Sequence, residues 1–198
     1  MSETTEETMN IVLASASPRR RELMEMLGVK NLKILPARGE EIPPEHASGP
    51  ELVQALALTK AREVAAQCAA EDVVIGADTI VWVDGRAFGK PRDEAEAARM
   101  LRRLSGDCHT VYTGVAVLRG GTECVSCEES RVWFRELSDE EIGRYIATGE
   151  PMDKAGAYGA QGRGALFVRA IEGDFFNVMG LPLCLLGQML KKQGVELL

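Results

Sequence analysis

Residues 13–28, LASASPRRRELMEMLG, place three cations where helix electrostatics disfavours them. An apolar stretch stops at small residues, Ser17 can cap a helix and Pro18 suits its first position, yet Arg19, Arg20 and Arg21 follow in the first turn. The unpaired N–H groups there already carry roughly half a positive charge, and a cation costs about 0.3–1 kcal/mol. At about 100° per residue, Arg20 shares a stripe with Leu23, Met24 and Leu27, while Arg19 aligns with Leu23 and Met26. Both guanidiniums then lean over the top of the buried face. A strand end, a capping serine, free N–H groups and two such guanidiniums form a phosphate cradle, and a bound anion removes the conflict. A solvated basic turn paired with Glu22 or Glu25 is the other reading.

A second feature is VVIGADTIVWV, residues 73–83, where Asp78 interrupts an apolar, β-branched run. A carboxylate emerging from a buried strand is costly unless it is paired, binds a metal or works in catalysis. Capping of the adjacent turn is the structural alternative. Gly76 and Ala77 beside it are expected to leave room for a ligand backbone. Lysines at 60, 90 and 154 each read singly as surface residues. Lys90, between Gly89 and Pro91, is the better phosphate contact, because the chain can approach closely and is then held. The Gly-rich run DKAGAYGAQGRG, residues 153–164, matches neither GxxxxGK[ST] nor GxGxxG. Within it, Gln161 could present an amide to a base edge, or lie in a solvent-exposed turn.

Histidine and cysteine chemistry lacks the neighbours it needs. His109 follows Cys108 on an expected strand, so the two point to opposite faces. Cys124 and Cys127 form a lone CxxC with no nearby histidine, which reads as ordinary strand thiols rather than as a zinc or redox site. Five cysteines, an odd number, argue against a disulfide framework.

The elements that must carry these residues follow from pattern and punctuation. Residues 1–9 read as a disordered tail and 10–198 as a single domain. Strands are expected at Ile11–Ser15, Leu32–Leu35, Val73–Ala77, 109–118, 122–135 and Ala165–Ile171, with an Asp84-Gly85 hairpin turn between. Helices are expected from Pro18 to Leu27, over about 50–70, after Asp93 as far as Ser105-Gly106, after Ser138, and after Leu181-Pro182. Helices alternate with strands first and antiparallel hairpins come later. That order predicts an α/β domain with a mixed, twisted β-sheet flanked by helices.

The chain has 198 residues, 45% hydrophobic and 27% charged, enough for one domain with a sizeable core. A net charge of −7 and only 5% aromatic residues disfavour a nucleic-acid module or an anionic membrane as partner. The acidic MSETTEETMN start and the lack of a long apolar run predict a cytoplasmic protein.

Six stretches together, LASASPRRREL, GADTIV, GKP, LSGDCHTVYTGVAV, EPMDKAGAYGAQGRGALFV and IEGDFFNVMGLPL, resemble the Maf family of nucleoside triphosphate pyrophosphatases from residue 11 to about 186. The resemblance implies a Maf/ITPase-like fold with the active site in a cleft. It implies hydrolysis between the α- and β-phosphates of a nucleoside triphosphate with a divalent metal, Mg²⁺ or Mn²⁺, giving nucleoside monophosphate and pyrophosphate. Asp78 takes the position of the proton acceptor, and could act as base, as metal ligand or as both, with Glu41 (favoured over Glu40) as a second acidic residue and candidate metal ligand. Arg19, Thr79 and Gln161 take the positions associated with base selectivity. Ser15, Arg20, Lys60 and Lys90 join Ser17 and Arg19 around the phosphates. The Gln161 loop resembles the branch acting on dTTP and UTP, although Ala160 stands where Ile is frequent and Phe175-Phe176 replace a Tyr-containing pair. A homodimer is implied by the resemblance alone, as is a role in clearing non-standard nucleotides or in cell-division arrest. Two alternatives stay open: the same reaction on 7-methyl-GTP, 5-methyl-UTP or pseudouridine triphosphate, and a non-catalytic nucleotide sensor in septum control.

Overall fold

Apolar runs that alternate or stop at small residues become seven strands of one sheet in the computed structural model, which describes residues 9–198. The tail expected over residues 1–9 lies outside the described residues except for Met9, which packs against the core. β1 (Ile11–Leu13), β2 (Leu32–Ile34) and β3 (Val73–Val83) pair in parallel with β1 central. β5 (Cys108–Arg119), β6 (Thr122–Phe134) and β7 (Val168–Glu172) continue the sheet antiparallel, in the order β2-β1-β3-β5-β6-β7. β4 (Arg86–Phe88) returns on the far half of β3 through the Asp84-Gly85 turn, where both residues have positive φ, as a two-residue hairpin turn requires.

This topology leaves one edge of β3 split. β1 pairs with Val73–Ile75 and β4 with Val81–Val83, so residues 76–80 have no strand neighbour on that side. The expected strand Val73–Ala77 is therefore only the first half of β3. The other edge of β3 pairs continuously with β5 and carries the extended backbone on to Val83, placing Asp78 in mid-strand.

Strand alternation sorts the core. On one face, Leu13, Ile75, Ala77 and Val115 pack against Leu23 and Met24 of α1 (Pro18–Met26) and Leu186 and Leu190 of α6 (Leu183–Lys192). Farther along the same face, Val81, Val111 and Val132 meet Leu101 and Leu104 of α3 (Glu94–Leu104) and Ile142 of α4 (Asp139–Ile146). The opposite face, with Val12, Val74 and Ala116, is covered by Ala57, Ala61 and Val64 of α2 (Gly49–Ala65).

Gly76 and Gly114 set how closely α2 approaches. A Cβ at Gly76 would overlap the Ala57 carbonyl oxygen, and one at Gly114 would overlap that of Val53. Gly76 thus makes room for a helix, which corrects the expectation that it makes room for a ligand.

Other boundaries shift for local reasons. The helix expected over 50–70 starts at Gly49, where Ser48 N–H donates to Glu51, and stops at Ala65. Beyond it, i→i−3 bonds from Gln67 and Cys68 tighten the chain towards Asp72, whose carboxylate accepts from Asn10 and Ala69. The strand expected over Ala165–Ile171 begins only at Val168, because residues Arg163–Phe167 first curl into a 3-10 turn whose leading N–H groups donate to Glu150. A short helix, α5 (Phe175–Met179), was not expected. Asp174 caps it by accepting from Phe176 N–H.

Candidate active site

The unpaired stretch of β3 opens into a cleft of about 810 Å³, a volume suited to a small-molecule ligand. Its walls include Ser15 to Arg20, Glu41, Lys60, Asp78, Thr79, Gly89 and Lys90. A smaller recess of about 50 Å³ adjoins it, lined by Tyr158, Gly159, Ala160, Gln161 and Val178. Arg19, Thr79, Ala155 and Met179 line both. Every site residue expected from the sequence therefore borders one of these two connected spaces. Glu41 does so and Glu40 does not.

At the top of α1, Ser17 occupies the cap position, but its side chain makes no capping bond. The first-turn N–H groups of Arg19 and Arg20 consequently have no side-chain cap, and they face the cleft end of the helix. Ser15 Oγ accepts from Ser17 N–H and from Arg20 Nη1, both at 3.2 Å. With both lone pairs engaged, its own proton is left to donate, which matches a phosphate oxygen.

Of the three arginines, only Arg20 is buried. Its Nη1 donates to Ala77 O at 2.8 Å, Nε to Gly180 O at 2.7 Å and Nη2 to Thr79 Oγ1 at 3.0 Å. Ala77 O belongs to the edge that β1 has left, where a buried carbonyl needs a partner. Gly180 sits at φ +110°, a conformation that costs a side-chain-bearing residue, and so turns its carbonyl to the guanidinium. Burial lowers the Arg20 pKa and nearby Asp78 opposes that shift. Arg20 thus braces the cradle through protein oxygens. Arg19 reaches Asp153 at 3.4 Å, and Arg21 turns outward to Glu25, so the solvated-turn reading holds for Arg21 alone.

Close approach of α2 brings Lys60 Nζ to 2.5 Å from Asp78 Oδ1, and 3.0 Å from Glu41 Oε1. The lysine thus lies between two carboxylates of the cleft wall, rather than in an open anion site. Those carboxylates are hard oxygen donors that fit Mg²⁺ or Mn²⁺. Among the described residues no group of three or more His, Cys, Asp or Glu could hold a metal, so substrate phosphates would have to complete the shell.

The recess depends on Glu150, which sequence reasoning did not single out. Its carboxylate accepts from Tyr145 Oη at 2.9 Å, Arg163 N–H at 3.0 Å and Gly164 N–H at 3.1 Å, and Tyr145 Oη accepts from Gly159 N–H. Burial works to raise the Glu150 pKa, but these donors outweigh it and lower it. The loop bearing Gln161 is therefore pinned at both ends. Gln161 is itself exposed, as the turn reading has it, yet it lines the recess. Lys154 donates to Glu150 O and Asp153. Phe175 and Phe176 are not lining residues.

The remaining candidates stay structural. His109 is buried among Phe134 and Tyr158, with Nε2 2.8 Å from Tyr158 Oη. Cys124 and Cys127 lie on β6, and Cys127 accepts from Gln54 Nε2. All five cysteines are free thiols. No helix of the described residues is long and apolar enough to cross a membrane.

Residues 10–193 match the sequence model of the family described as Maf-like protein. A dTTP/UTP pyrophosphatase of Pelotomaculum thermopropionicum is 52% identical over 191 residues, covering 95% of this chain and 98% of that one. The protein of the same description from Moorella thermoacetica is 54% identical over 188 residues, 94% and 96% of the two chains. That of Symbiobacterium thermophilum is 52% identical over 185 residues, 93% and 94%.

Proposed function

The chain belongs to the Maf family, and from that premise we propose that it hydrolyses dTTP and UTP to the nucleoside monophosphate and pyrophosphate. The observation that carries this reading is the joining of two spaces across Thr79 and Arg19: a cationic, carboxylate-walled cleft and a small recess lined by Gln161. A triphosphate in the cleft places its base at the recess. The relatives described as dTTP/UTP pyrophosphatases support the choice of substrate.

In this mechanism the uncapped N–H groups of α1, the Ser15 and Ser17 hydroxyls, Arg19 and Lys90 hold phosphate oxygens, with Arg20 adding charge from beneath. Lys60 neutralises charge beside Asp78. A divalent cation held by Asp78 and Glu41 would supply Lewis-acid stabilisation of phosphate charge. Asp78 accepts the proton of the water that attacks the α-phosphorus, and the P–O bond to pyrophosphate breaks. The Gln161 amide donates to a carbonyl beside N3 of uracil or thymine.

The deciding experiment is a panel of dTTP, UTP, CTP, dATP, GTP and 7-methyl-GTP with Mg²⁺ or Mn²⁺, resolving pyrophosphate from orthophosphate. Pyrophosphate from dTTP and UTP is expected. Turnover of another base in preference would discard the Gln161 argument, and binding without product would make the protein a sensor.

A further inference from the structure

Between the two hydrophobic clusters on one face of the sheet runs a buried polar chain. Thr79 and Thr113 face each other across the β3–β5 pair, with Oγ1 atoms 2.9 Å apart. Either hydroxyl could donate in that contact taken alone. The neighbours decide it. Thr113 Oγ1 lies 2.9 Å from Asn177 O, a carbonyl that can only accept, so the single Thr113 proton points there. The proton between the two threonines must then come from Thr79. Arg20 Nη2, which can only donate, occupies one lone pair of Thr79 Oγ1 at 3.0 Å. A single acceptor lone pair is left to Thr79, and Thr79 lines both the cleft and the recess.

We infer that Thr113, fully buried and outside both spaces, is a positioning residue for base selectivity: it fixes the Thr79 hydroxyl as an acceptor towards substrate. This rests on the proposed dTTP/UTP reading and supplies what Gln161 lacks. A Gln amide can turn over and exchange its carbonyl for its NH₂, so by itself it meets a donor–acceptor edge in either order. A hydroxyl whose proton is already spent cannot. Uracil and thymine carry N–H at N3 and satisfy an acceptor there. Cytosine carries a bare nitrogen, which would face a lone pair, and such a mismatch of desolvated polar groups is what gives strong discrimination.

The test is the ratio of kcat/KM for UTP to that for CTP in wild type, Thr113→Val and Thr113→Ser, with a melting curve for each. Val matches Thr in shape but cannot take the Thr79 proton. Asn177 O keeps its bond from Gly180 N–H in that variant. We expect Thr113→Val to lower the ratio about tenfold or more, chiefly by raising turnover of CTP, and Thr113→Ser to restore it. An unchanged ratio in Thr113→Val, or equal losses on both nucleotides, overturns the inference. Should Thr113→Val fold poorly, Thr113→Ala in wild-type and Thr79→Val backgrounds replaces it. The inference requires a fall in the first background and none in the second, where no hydroxyl remains to orient; equal effects in both refute it. A wild type that already cleaves CTP as well as UTP instead defeats the base reading itself.

Discussion

Lys60 Nζ on α2 sits 2.5 Å from Asp78 Oδ1 on β3, and the same ammonium is 3.0 Å from Glu41 Oε1. One cation holds two carboxylates of the cleft together, and both partners of the closer pair are largely shielded, with side chains 16% and 13% exposed.

Replacing Asp78 with Asn keeps an oxygen for Lys60 but removes the proton acceptor. Pyrophosphate release from UTP should fall about 10²–10⁴-fold while the melting temperature changes little. A steady-state assay alongside thermal melts checks both.

Lys60→Met removes the ammonium that Asp78 and Glu41 share. Two unscreened carboxylates then attract a cation more strongly, so Mn²⁺ should bind the substrate-free variant more tightly than wild type, even as turnover drops. Calorimetric titration with MnCl₂ reads the first effect independently of the second. Weaker Mn²⁺ binding in Lys60→Met would dissociate the two carboxylates from the metal.

Glu150→Ala withdraws the acceptor from Tyr145, Arg163 and Gly164 together. Orphaned donors of this kind cost about 1–3 kcal/mol. The loss should appear as a raised KM for UTP and weaker rejection of CTP, with kcat less affected, because the Asp78 wall is carried by other elements. Full kinetics on both nucleotides distinguish this from a general loss of fold.

Gly76→Ala forces α2 away from the sheet, since the added methyl overlaps Ala57 O. Stability should drop by about 1–3 kcal/mol or more, read from the urea midpoint, and activity should fall with it as Lys60 moves off Asp78. Gly114→Ala should behave alike.

Burial lowers the His109 pKa to about 4. The unfolded chain, with a pKa near 6.5, therefore binds more protons between those values, and the neutral buried ring contributes stability that is complete above about pH 6.5 and lost as pH falls towards 4. Between pH 7.5 and 4.5 this amounts to about 2–3 kcal/mol. His109→Phe should flatten that part of the stability profile relative to wild type, measured by denaturant unfolding at several pH values.

Much of the site was legible before any fold. The arginines after a serine at the cap position, the carboxylate inside an apolar strand and the lysine held between Gly89 and Pro91 each broke a local rule, and Arg19, Arg20, Asp78 and Lys90 all line the cleft. Periodicity placed the helices because it reports the buried face, as with Leu23, Met24 and Arg20 on α1. It could not place the end of α2 or the start of β7, where Gln67 and Cys68 N–H turn back to Val64 and Ala65 and where Arg163 and Gly164 N–H donate to Glu150, bonds made through backbone groups that carry no residue signature.

By itself the sequence determined which residues would be costly without a partner: Asp78 in its strand, and the arginines at a positive helix end. Only the tertiary structure decided the partners. The divergence of β1 from β4 opened the sheet beside Ala77, so that Arg20, on the cleft wall, also satisfies a carbonyl of the strand edge. Two glycines without side chains let α2 deliver Lys60 to Asp78. The direction of the Thr79 proton was set by atoms on β5 and α5. Hydrogen-bond polarity is a property of a closed set of neighbours, and that set exists only once the chain has folded.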